Sequence, residues 1–374
     1  RILRDLDARP GAPAAPLGPG RSSTRPPGDL NPDSENEFTP RMPCRQPERH
    51  RHRTKCAQGP RYNACVARPV KPAELKVNPE ARAAAQSEWD RLRSVKRPDG
   101  KAGVWGESAA EVREWSDVKR EALLLGEKVH VGRVFCIVVE KNAELQAIDR
   151  KRKYKGRSCY QGNNVFDEEG NWAVFAELGS SPATMEATRC ADVYGMLPGH
   201  SVEQSDAVQA YTQAWLKGTR TWVRLPRDQW PPEWAGMTDP VCPLYMALYG
   251  HPDAGGYWEE HCEAHLTSVG FVPINPWHSC FWHPELELFL VVYVDDFKLS
   301  GPTDRLAQGW ALIREGINAE DPHPLDLYLG CKHEQSTRTL PDTGATVQVM
   351  EYNMEDFLRS CVDRYKELTG ASYM

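Results

Sequence analysis

The amino-acid sequence predicts an α+β fold, in which helices and strands alternate without the regular spacing of parallel βαβ units. An apolar β-branched run at residues 129–139 precedes a basic strand at 151–162, and together they predict an antiparallel hairpin. A second hairpin is predicted at 286–299, where apolar strands flank two adjacent acids. With 40% hydrophobic residues and 12 Trp in 374 residues, the chain has enough apolar surface for one or two domains.

The remaining elements follow from hydrophobic periodicity. Residues 80–93 consist of good helix formers, and residues 108–125 place apolar side chains at helical spacing before Gly126. From residue 200 onward the predicted order is strand (201–206), helix (207–217), strand (221–225), helix (256–269) and the second hairpin, with a further helix at 354–368.

The N-terminal segment differs in composition from the rest. Residues 1–80 hold 14 of the 30 prolines and a net charge of +6, whereas the remainder carries −12. Because this segment has few large apolar residues, it cannot bury enough surface to offset its ordering entropy. We therefore expect a disordered basic arm over residues 1–80 and a folded body over 81–374.

The cysteine pattern bears on the cellular compartment. The 11 Cys are scattered, and neither a secretory signal nor an apolar run long enough to span a membrane occurs. We expect an intracellular protein with free thiols and no membrane partner.

Asp295 and Asp296 lie at the tip of the second predicted hairpin. Two adjacent acids on rigid apolar strands repel each other, and a divalent cation neutralises such hard oxygen ligands. The alternative is an ordinary turn, in which Asp is common.

Asp206 supplies a third carboxylate at the end of the 201–206 strand, where an antiparallel sheet can bring it beside the hairpin tip. Such a group can hold two magnesium ions about 3.5–4 Å apart for in-line phosphoryl displacement. The alternative is that Asp206 caps the helix predicted after it. The residue types alone leave both open.

Three segments occur in the order and separation of the copia-type LTR retrotransposon reverse transcriptase, which the chain resembles over residues 85–370. These segments are Val202-Glu-Gln-Ser-Asp-Ala-Val-Gln-Ala-Tyr, Leu248-Tyr-Gly followed by Trp258, and Tyr293-Val-Asp-Asp. In that family Gln precedes the first acid by two residues, as Gln204 does here, and an aromatic follows five residues later, as Tyr211 does.

The resemblance implies roles for individual residues. Asp206 and Asp295 correspond to the catalytic metal ligands for two Mg²⁺ ions, which Mn²⁺ can replace. Asp296 is the paired acid that tunes the site, and it completes the predicted set of catalytic and metal-binding residues. Tyr211 corresponds to the aromatic side chain that excludes a 2′-hydroxyl, and Tyr293 belongs to the same nucleotide site. Without the resemblance, burial statistics favour a core role for Tyr211.

A basic run at residues 150–157 is the densest in the acidic body. A solvated loop is the usual explanation of such a run. Lys155 and Arg157 nevertheless resemble the basic fingers residues that contact the incoming nucleotide. Asp253 departs from the family pattern, because an acid replaces a Gln that faces nucleotide.

The resemblance implies a polymerase right-hand fold: fingers at 125–200, palm with an antiparallel sheet at 201–300, and the remaining palm with a partial thumb at 301–374. Residues 327–333 resemble the strand that grips the primer. The implied partners are an RNA template, a DNA primer–template, deoxynucleoside triphosphates, and the integrase and RNase H regions of one polyprotein. The implied location is a cytoplasmic virus-like particle, the nucleus, or both.

Three functional hypotheses follow. The first is an RNA-directed DNA polymerase of a retrotransposon. The second is an inactive or truncated relic that binds nucleic acid or a partner without turnover. The third is another two-metal enzyme, such as a nucleotidyl cyclase, which template dependence would distinguish from a polymerase.

Overall fold

The structure is a computed structural model that describes residues 67–143, 148–175 and 180–370, except for the side chains of residues 367 and 368. The helices in these residues are α1 (Pro72–Val77), α2 (Pro79–Ser94), α3 (Trp115–Leu125), α4 (Met185–Gly195), α5 (Ala254–Ser268), α6 (Thr303–Arg314) and α7 (Glu355–Thr369). The strands are β1 (Arg68–Pro69), β2 (Arg113–Glu114), β3 (Val129–Lys141), β4 (Lys153–Tyr160), β5 (His200–Asp206), β6 (Arg220–Arg224), β7 (Pro240–Pro243), β8 (Val272–Pro273), β9 (Cys280–His283), β10 (Leu288–Tyr293), β11 (Asp296–Pro302), β12 (His323–Pro324), β13 (Leu327–Tyr328), β14 (Cys331–Thr339) and β15 (Thr346–Asn353). The predicted α+β class is confirmed.

The strands form three sheets. The N-terminal sheet has the order β1-β3-β6-β7-β2, with β4 also paired to β3. The central sheet has the order β12-β5-β11-β10-β9-β8, and the C-terminal sheet has the order β13-β14-β15. All strand pairs are antiparallel except β3 with β6, which is parallel.

Helices pack on both faces of the central sheet. On one face, the largest core cluster joins Leu290, Phe297 and Leu299 of the sheet to Trp258 of α5 and Trp310 of α6. On the other face, alanines of α4 pack against alternate residues of β10 in a second cluster. Because successive strand residues face opposite sides, the apolar β10 run fills both layers and holds the hairpin rigid.

The β3–β4 hairpin rests on α2. Gly156 of β4 lies so close to this helix that a Cβ atom there would be 2.6 Å from the carbonyl oxygen of Ala84. Asn78 accepts a hydrogen bond from the Ala81 N–H as the cap of α2, and its amide donates to the Tyr154 hydroxyl. One face of β4 is therefore committed to packing, which leaves the other face for Lys155 and Arg157.

Several predicted elements are confirmed with shifted bounds. Residues 80–93 lie in α2, residues 256–269 correspond to α5, and residues 354–368 correspond to α7. Both predicted hairpins form, with β3 paired to β4 and β10 paired to β11. The predicted helix at 108–125 is correct only from Trp115, since Arg113 and Glu114 pair with β7 instead.

The predicted helix at 207–217 is wrong. Only Ala210–Gln213 form a 3₁₀ turn, and Gln209 before it has a φ of 53°. The Ala207 N–H donates to the Asp295 carbonyl, and the Val208 N–H donates to the Asn318 carbonyl. The positive φ of Gln209 interrupts a helical backbone, and distant carbonyls accept the N–H groups next to Asp206, so Asp206 is not a helix N-cap.

The expected arm over residues 1–80 ends too late. Arg68 and Pro69 form β1 against β3, and α1 follows at Pro72–Val77. Arg68 also forms ion pairs with Glu74 and with the buried Glu140 of β3, which fasten this segment to the hairpin. The rest of the expected arm, residues 1–66, lies outside the described residues.

The remaining expectations concern the subdivision of the fold and the absence of a membrane partner. The division into fingers, palm and thumb stays a prediction. In the described part of the chain, no helix combines the length and apolar character needed to cross a membrane.

Candidate functional site

The β10–β11 hairpin turns sharply at Val294 and Asp295. Tyr293 pairs with Asp296, so only two residues lie in the turn. Val294 has a φ of 59°, a backbone conformation that is unfavourable for a β-branched residue. Backbone strain of this kind persists only where the surroundings enforce it, and it is concentrated at functional sites.

Two hydrogen bonds enforce the turn. The indole Nε1–H of Trp258 donates to the Val294 carbonyl oxygen at 2.7 Å. The Ala207 N–H donates to the Asp295 carbonyl oxygen at 2.7 Å. Because Trp258 is only 1% exposed, its donor position is set by the core, and both turn carbonyls are held by fixed groups.

The register between β5 and β11 places Asp206 directly opposite Asp296. Like charges at opposed positions in adjacent strands destabilise a sheet. Burial and the nearby Asp206 and Asp295 carboxylates raise the pKa of Asp296 to about 7, and its protonated form is hydrogen-bonded to Asp206. A bound cation would offset the repulsion between these carboxylates.

The sheet register shows which of the three predicted acids are cross-strand neighbours. Asp206, Asp295 and Asp296 were all predicted to belong to the metal site, and Asp296 is the one that makes the direct contact with Asp206. Across the described ranges, no three His, Cys, Asp or Glu side chains converge on one ion position. Two crowded carboxylates still fit Mg²⁺, which proteins commonly hold with one or two carboxylates plus water and substrate phosphates.

A cavity of about 390 Å³ opens beside the two carboxylates. Asp206, Asp296 and Gln204 line it from the central sheet, while Leu329 and Gly330 line it from the β13–β14 turn. Leu329 and Gly330 both have positive φ, 50° and 77°, as a two-residue hairpin turn of type I′ requires. The C-terminal sheet thus supplies one wall of the acidic cavity.

Tyr211 lies near the acids as part of a stacked group. Its ring is 4.7 Å from the ring of Tyr249 in an edge-to-face arrangement, and the Arg157 guanidinium lies 4.7 Å over the Tyr249 ring. Burial, followed by the Asp295 charge, raises the pKa of Tyr211. The fold therefore brings Arg157, Tyr211 and Asp295 into one neighbourhood.

Lys155 and Tyr293 are the other two residues predicted for the nucleotide site. Lys155 is two residues before Arg157 on the same face of β4, and burial, followed by the Lys141 and Arg157 charges, lowers its pKa. Tyr293 is half-buried at the end of β10 opposite Asp296. Lys155 thus adds charge beside Arg157, and Tyr293 borders the acids.

Tyr249 is a site residue that the sequence prediction missed. Its carbonyl accepts a 2.6 Å hydrogen bond from the Tyr160 N–H, which joins the end of β4 to this segment. Gly250 has a φ of 87°, and a Cβ atom there would overlap the Tyr160 carbonyl oxygen. Leu248-Tyr-Gly therefore lets β4 approach closely enough for Arg157 to stack on Tyr249, and the glycine after an aromatic was the available signal.

Asp253 stands where the resemblance implies a Gln that faces nucleotide, and in the structure this acid is buried. Asp253 is 4% exposed and lies at the start of α5. Its backbone N–H donates to His251 Nδ1 at 3.2 Å, so the acid belongs to the packed turn that begins the helix. The negative charge at this position does not line the acidic cavity.

Lys298 and Asp192 were also missed. The Lys298 ammonium donates to Asp192 at 2.7 Å, and both side chains are fully buried. Lys298 lies two residues from Asp296 on the same face of β11. No local pattern in the sequence marks this pair, because 106 residues separate its members.

Comparison with known proteins gives little further information. No protein-family model matches the chain, and no curated protein matches it. Among solved structures, the chain is similar to the telomerase from Candida albicans in complex with a TWJ fragment of telomeric RNA, with a TM-score of 0.28 and 9% identity. That match covers 59% of this chain and 46% of the telomerase chain, less than half of its length.

Proposed function

We propose that this chain is an RNA-directed DNA polymerase of the copia-type retrotransposon class, which extends a DNA primer with deoxynucleotides on an RNA or DNA template. The observation that carries the proposal is the opposition of Asp206 and Asp296 beside the strained Tyr293-Val-Asp-Asp turn. The stacked group of Arg157, Tyr249 and Tyr211 beside it supports a nucleotide site.

Magnesium ions held by Asp206 and Asp296, with Asp295 at the turn, would activate the primer 3′-hydroxyl and stabilise the leaving oxygen. The protein residues have separate tasks. Arg157 and Lys155 place positive charge where a triphosphate binds. The Tyr211 ring occupies the space under the sugar, which excludes a 2′-hydroxyl. Trp258 holds the turn that carries the acids.

The proposed function also implies partners, a substitute metal ion and a cellular location. An RNA template, a DNA primer–template and deoxynucleoside triphosphates are the proposed partners, and integrase and RNase H regions of one polyprotein are proposed neighbours. Mn²⁺ is the proposed substitute for Mg²⁺. Location in a cytoplasmic virus-like particle or the nucleus stays a prediction.

Primer extension tests the proposal. The purified chain should extend an oligo(dT) primer on poly(A) with deoxythymidine triphosphate and Mg²⁺. Asp206→Asn and Asp296→Asn should each abolish extension, because each removes one carboxylate of the pair. Asp342→Asn is the matched control, since Asp342 is exposed in the β14–β15 connection far along the chain from the acids. Extension that survives both substitutions would exclude this mechanism.

A second candidate is a relic that binds nucleic acid without turnover. The departure from the family pattern at Asp253, a buried acid where the family commonly has Gln, motivates it. Binding of a primer–template duplex without any extension, with either Mg²⁺ or Mn²⁺, would identify the chain as this second class.

A further inference from the structure

Lys298 occupies an unusual place for a lysine. In β11 the neighbouring Phe297 and Leu299 enter the largest core cluster, so Lys298 points to the opposite face together with Asp296. Its partner in β5 is Gln204, two residues before Asp206. Lys298 and Gln204 thus form the next cross-strand pair on the same face of the sheet as the Asp206–Asp296 pair.

The charge of Lys298 is compensated by groups from other elements. One Asp192 oxygen of α4 accepts from the Lys298 ammonium at 2.7 Å, and the other accepts from the Tyr352 hydroxyl of β15 at 2.9 Å. His333 Nε2 of β14 lies 3.6 Å from that second oxygen, and the ammonium lies 4.2 Å from the Tyr328 ring centroid. A helix, the central sheet and the C-terminal sheet therefore meet at one carboxylate.

Gln204 adds a second connection between the same two sheets. Its side-chain amide donates to the Leu327 carbonyl at 2.9 Å, and its side-chain oxygen accepts from the Asp326 N–H at 3.4 Å. Both contacts hold β13, the strand that leads into the Leu329–Gly330 turn. That turn lines the same cavity as the two carboxylates.

Stability alone does not explain a buried ion pair. Desolvation of two charges costs as much as or more than their attraction returns, and apolar pairs of similar volume are often as stable. A hydrogen-bonded pair differs from an apolar contact because it demands one geometry. Lys298 and Asp192 therefore favour one placement of the C-terminal sheet over a set of similar packed positions.

We propose that Lys298, Asp192 and Tyr352 form a positioning group that sets the Leu329–Gly330 turn beside the Asp206–Asp296 pair, and thereby seats the primer end that must reach those carboxylates. That the bound ligand is a primer end rests on the proposed polymerase function. The positioning itself rests only on the contacts between the two sheets.

Two variants separate positioning from folding. Tyr352→Phe removes one hydroxyl donor and leaves the Lys298–Asp192 contact in place. The double variant Lys298→Met with Asp192→Leu replaces the ion pair by apolar side chains, so that no buried charge is left without a partner. Arg338→Gln is the matched control, because Arg338 pairs with Glu351 in an exposed contact between the same strands, β14 and β15.

Steady-state primer extension with the full chain gives the first measurement. Tyr352→Phe and the double variant should raise KM for the primer–template about fivefold, the effect of losing one hydrogen bond. KM for deoxythymidine triphosphate should stay unchanged, and Arg338→Gln should match the parent protein. Equal changes in both KM values, or no change in either, would overturn the proposal.

Hydrogen exchange gives a measurement that does not need activity. The His333 N–H donates to the Asp326 carbonyl at 2.7 Å beside the turn, and its exchange should accelerate in both variants but not in Arg338→Gln. Unchanged exchange would refute the positioning role. If the parent protein extends no primer while exchange accelerates as expected, the proposed function fails and the positioning role stands.

Discussion

The indole N–H of Trp258 donates a 2.7 Å hydrogen bond to the carbonyl oxygen of Val294, the residue of positive φ in the turn beside the acids. A tryptophan deep in the largest core cluster therefore fixes the backbone that carries Asp295 and Asp296. Core packing maintains the backbone strain at Val294. Substitutions at Trp258 should therefore change the positions of Asp295 and Asp296.

Trp258→Phe keeps an aromatic ring in the core and removes the donor. We expect the turn to relax and kcat for primer extension to fall about tenfold, because the carboxylates lose their fixed positions. Trp310→Phe is the matched control, since Trp310 lies in the same cluster and donates its N–H to Glu203 instead. Equal losses in kcat for the two variants would contradict a specific role of the turn contact.

The raised pKa of Asp296, about 7, makes stability depend on pH. Between the ordinary Asp pKa near 4 and this value, the folded chain binds a proton that the unfolded chain releases, so this group's contribution falls as pH rises through that window. Urea unfolding at pH 5 and pH 8 should show a larger loss of stability in the parent protein than in Asp296→Asn. An identical pH dependence in both would contradict the assignment.

Mg²⁺ should reverse this effect, because a carboxylate must be deprotonated to bind a metal. At pH 8, addition of Mg²⁺ should raise the urea midpoint of the parent protein and leave that of Asp296→Asn nearly unchanged. An equal rise in both proteins would show that the ion acts elsewhere.

Gly250→Ala should destabilise the chain by about 3 kcal/mol or more, because left-handed backbone strain adds to a steric overlap. The φ of 87° disfavours any side chain, and the new Cβ would overlap the Tyr160 carbonyl oxygen. Gly344→Ala is the matched control: its φ is 68°, but nothing lies within 4 Å of its added Cβ. Urea unfolding should therefore show a clearly smaller loss for Gly344→Ala.

Tyr211→Ala should relax sugar selection, since removal of the ring opens space under the deoxyribose. We expect incorporation of ribonucleotides relative to deoxynucleotides to rise at least about tenfold, consistent with relief of a steric exclusion. Tyr211→Phe retains the ring and its edge contact with Tyr249, and should keep the parent ratio. Relaxed selection in Tyr211→Phe would assign the effect to the hydroxyl instead.

Elements whose signal is local were predictable from the sequence. The β3–β4 and β10–β11 hairpins and α2 are where periodicity predicts them, because their side-chain alternation and helix formers are properties of neighbouring residues. The opposition of Asp206 to the hairpin acids was also predictable in outline, since β5 ends at Asp206 and the antiparallel β11 begins at Asp296.

Tertiary contacts decided the rest. Residues 207–217 have a helical pattern, yet Ala207 and Val208 donate to Asp295 and Asn318, and the helix does not form. Tertiary contacts also decided the position of a buried charge. Lys298 was left out of the predicted site, and its full burial is compensated by Asp192, 106 residues earlier in the chain.

The sequence by itself determined which strands carry the acids, because backbone preference and side-chain alternation act between near neighbours. Only the tertiary structure decided that Asp296, rather than Asp295, faces Asp206, and that Trp258 and Lys298 support the site. Hydrogen bonding and desolvation depend on groups that meet only after folding, so their partners cannot be identified from local pattern alone.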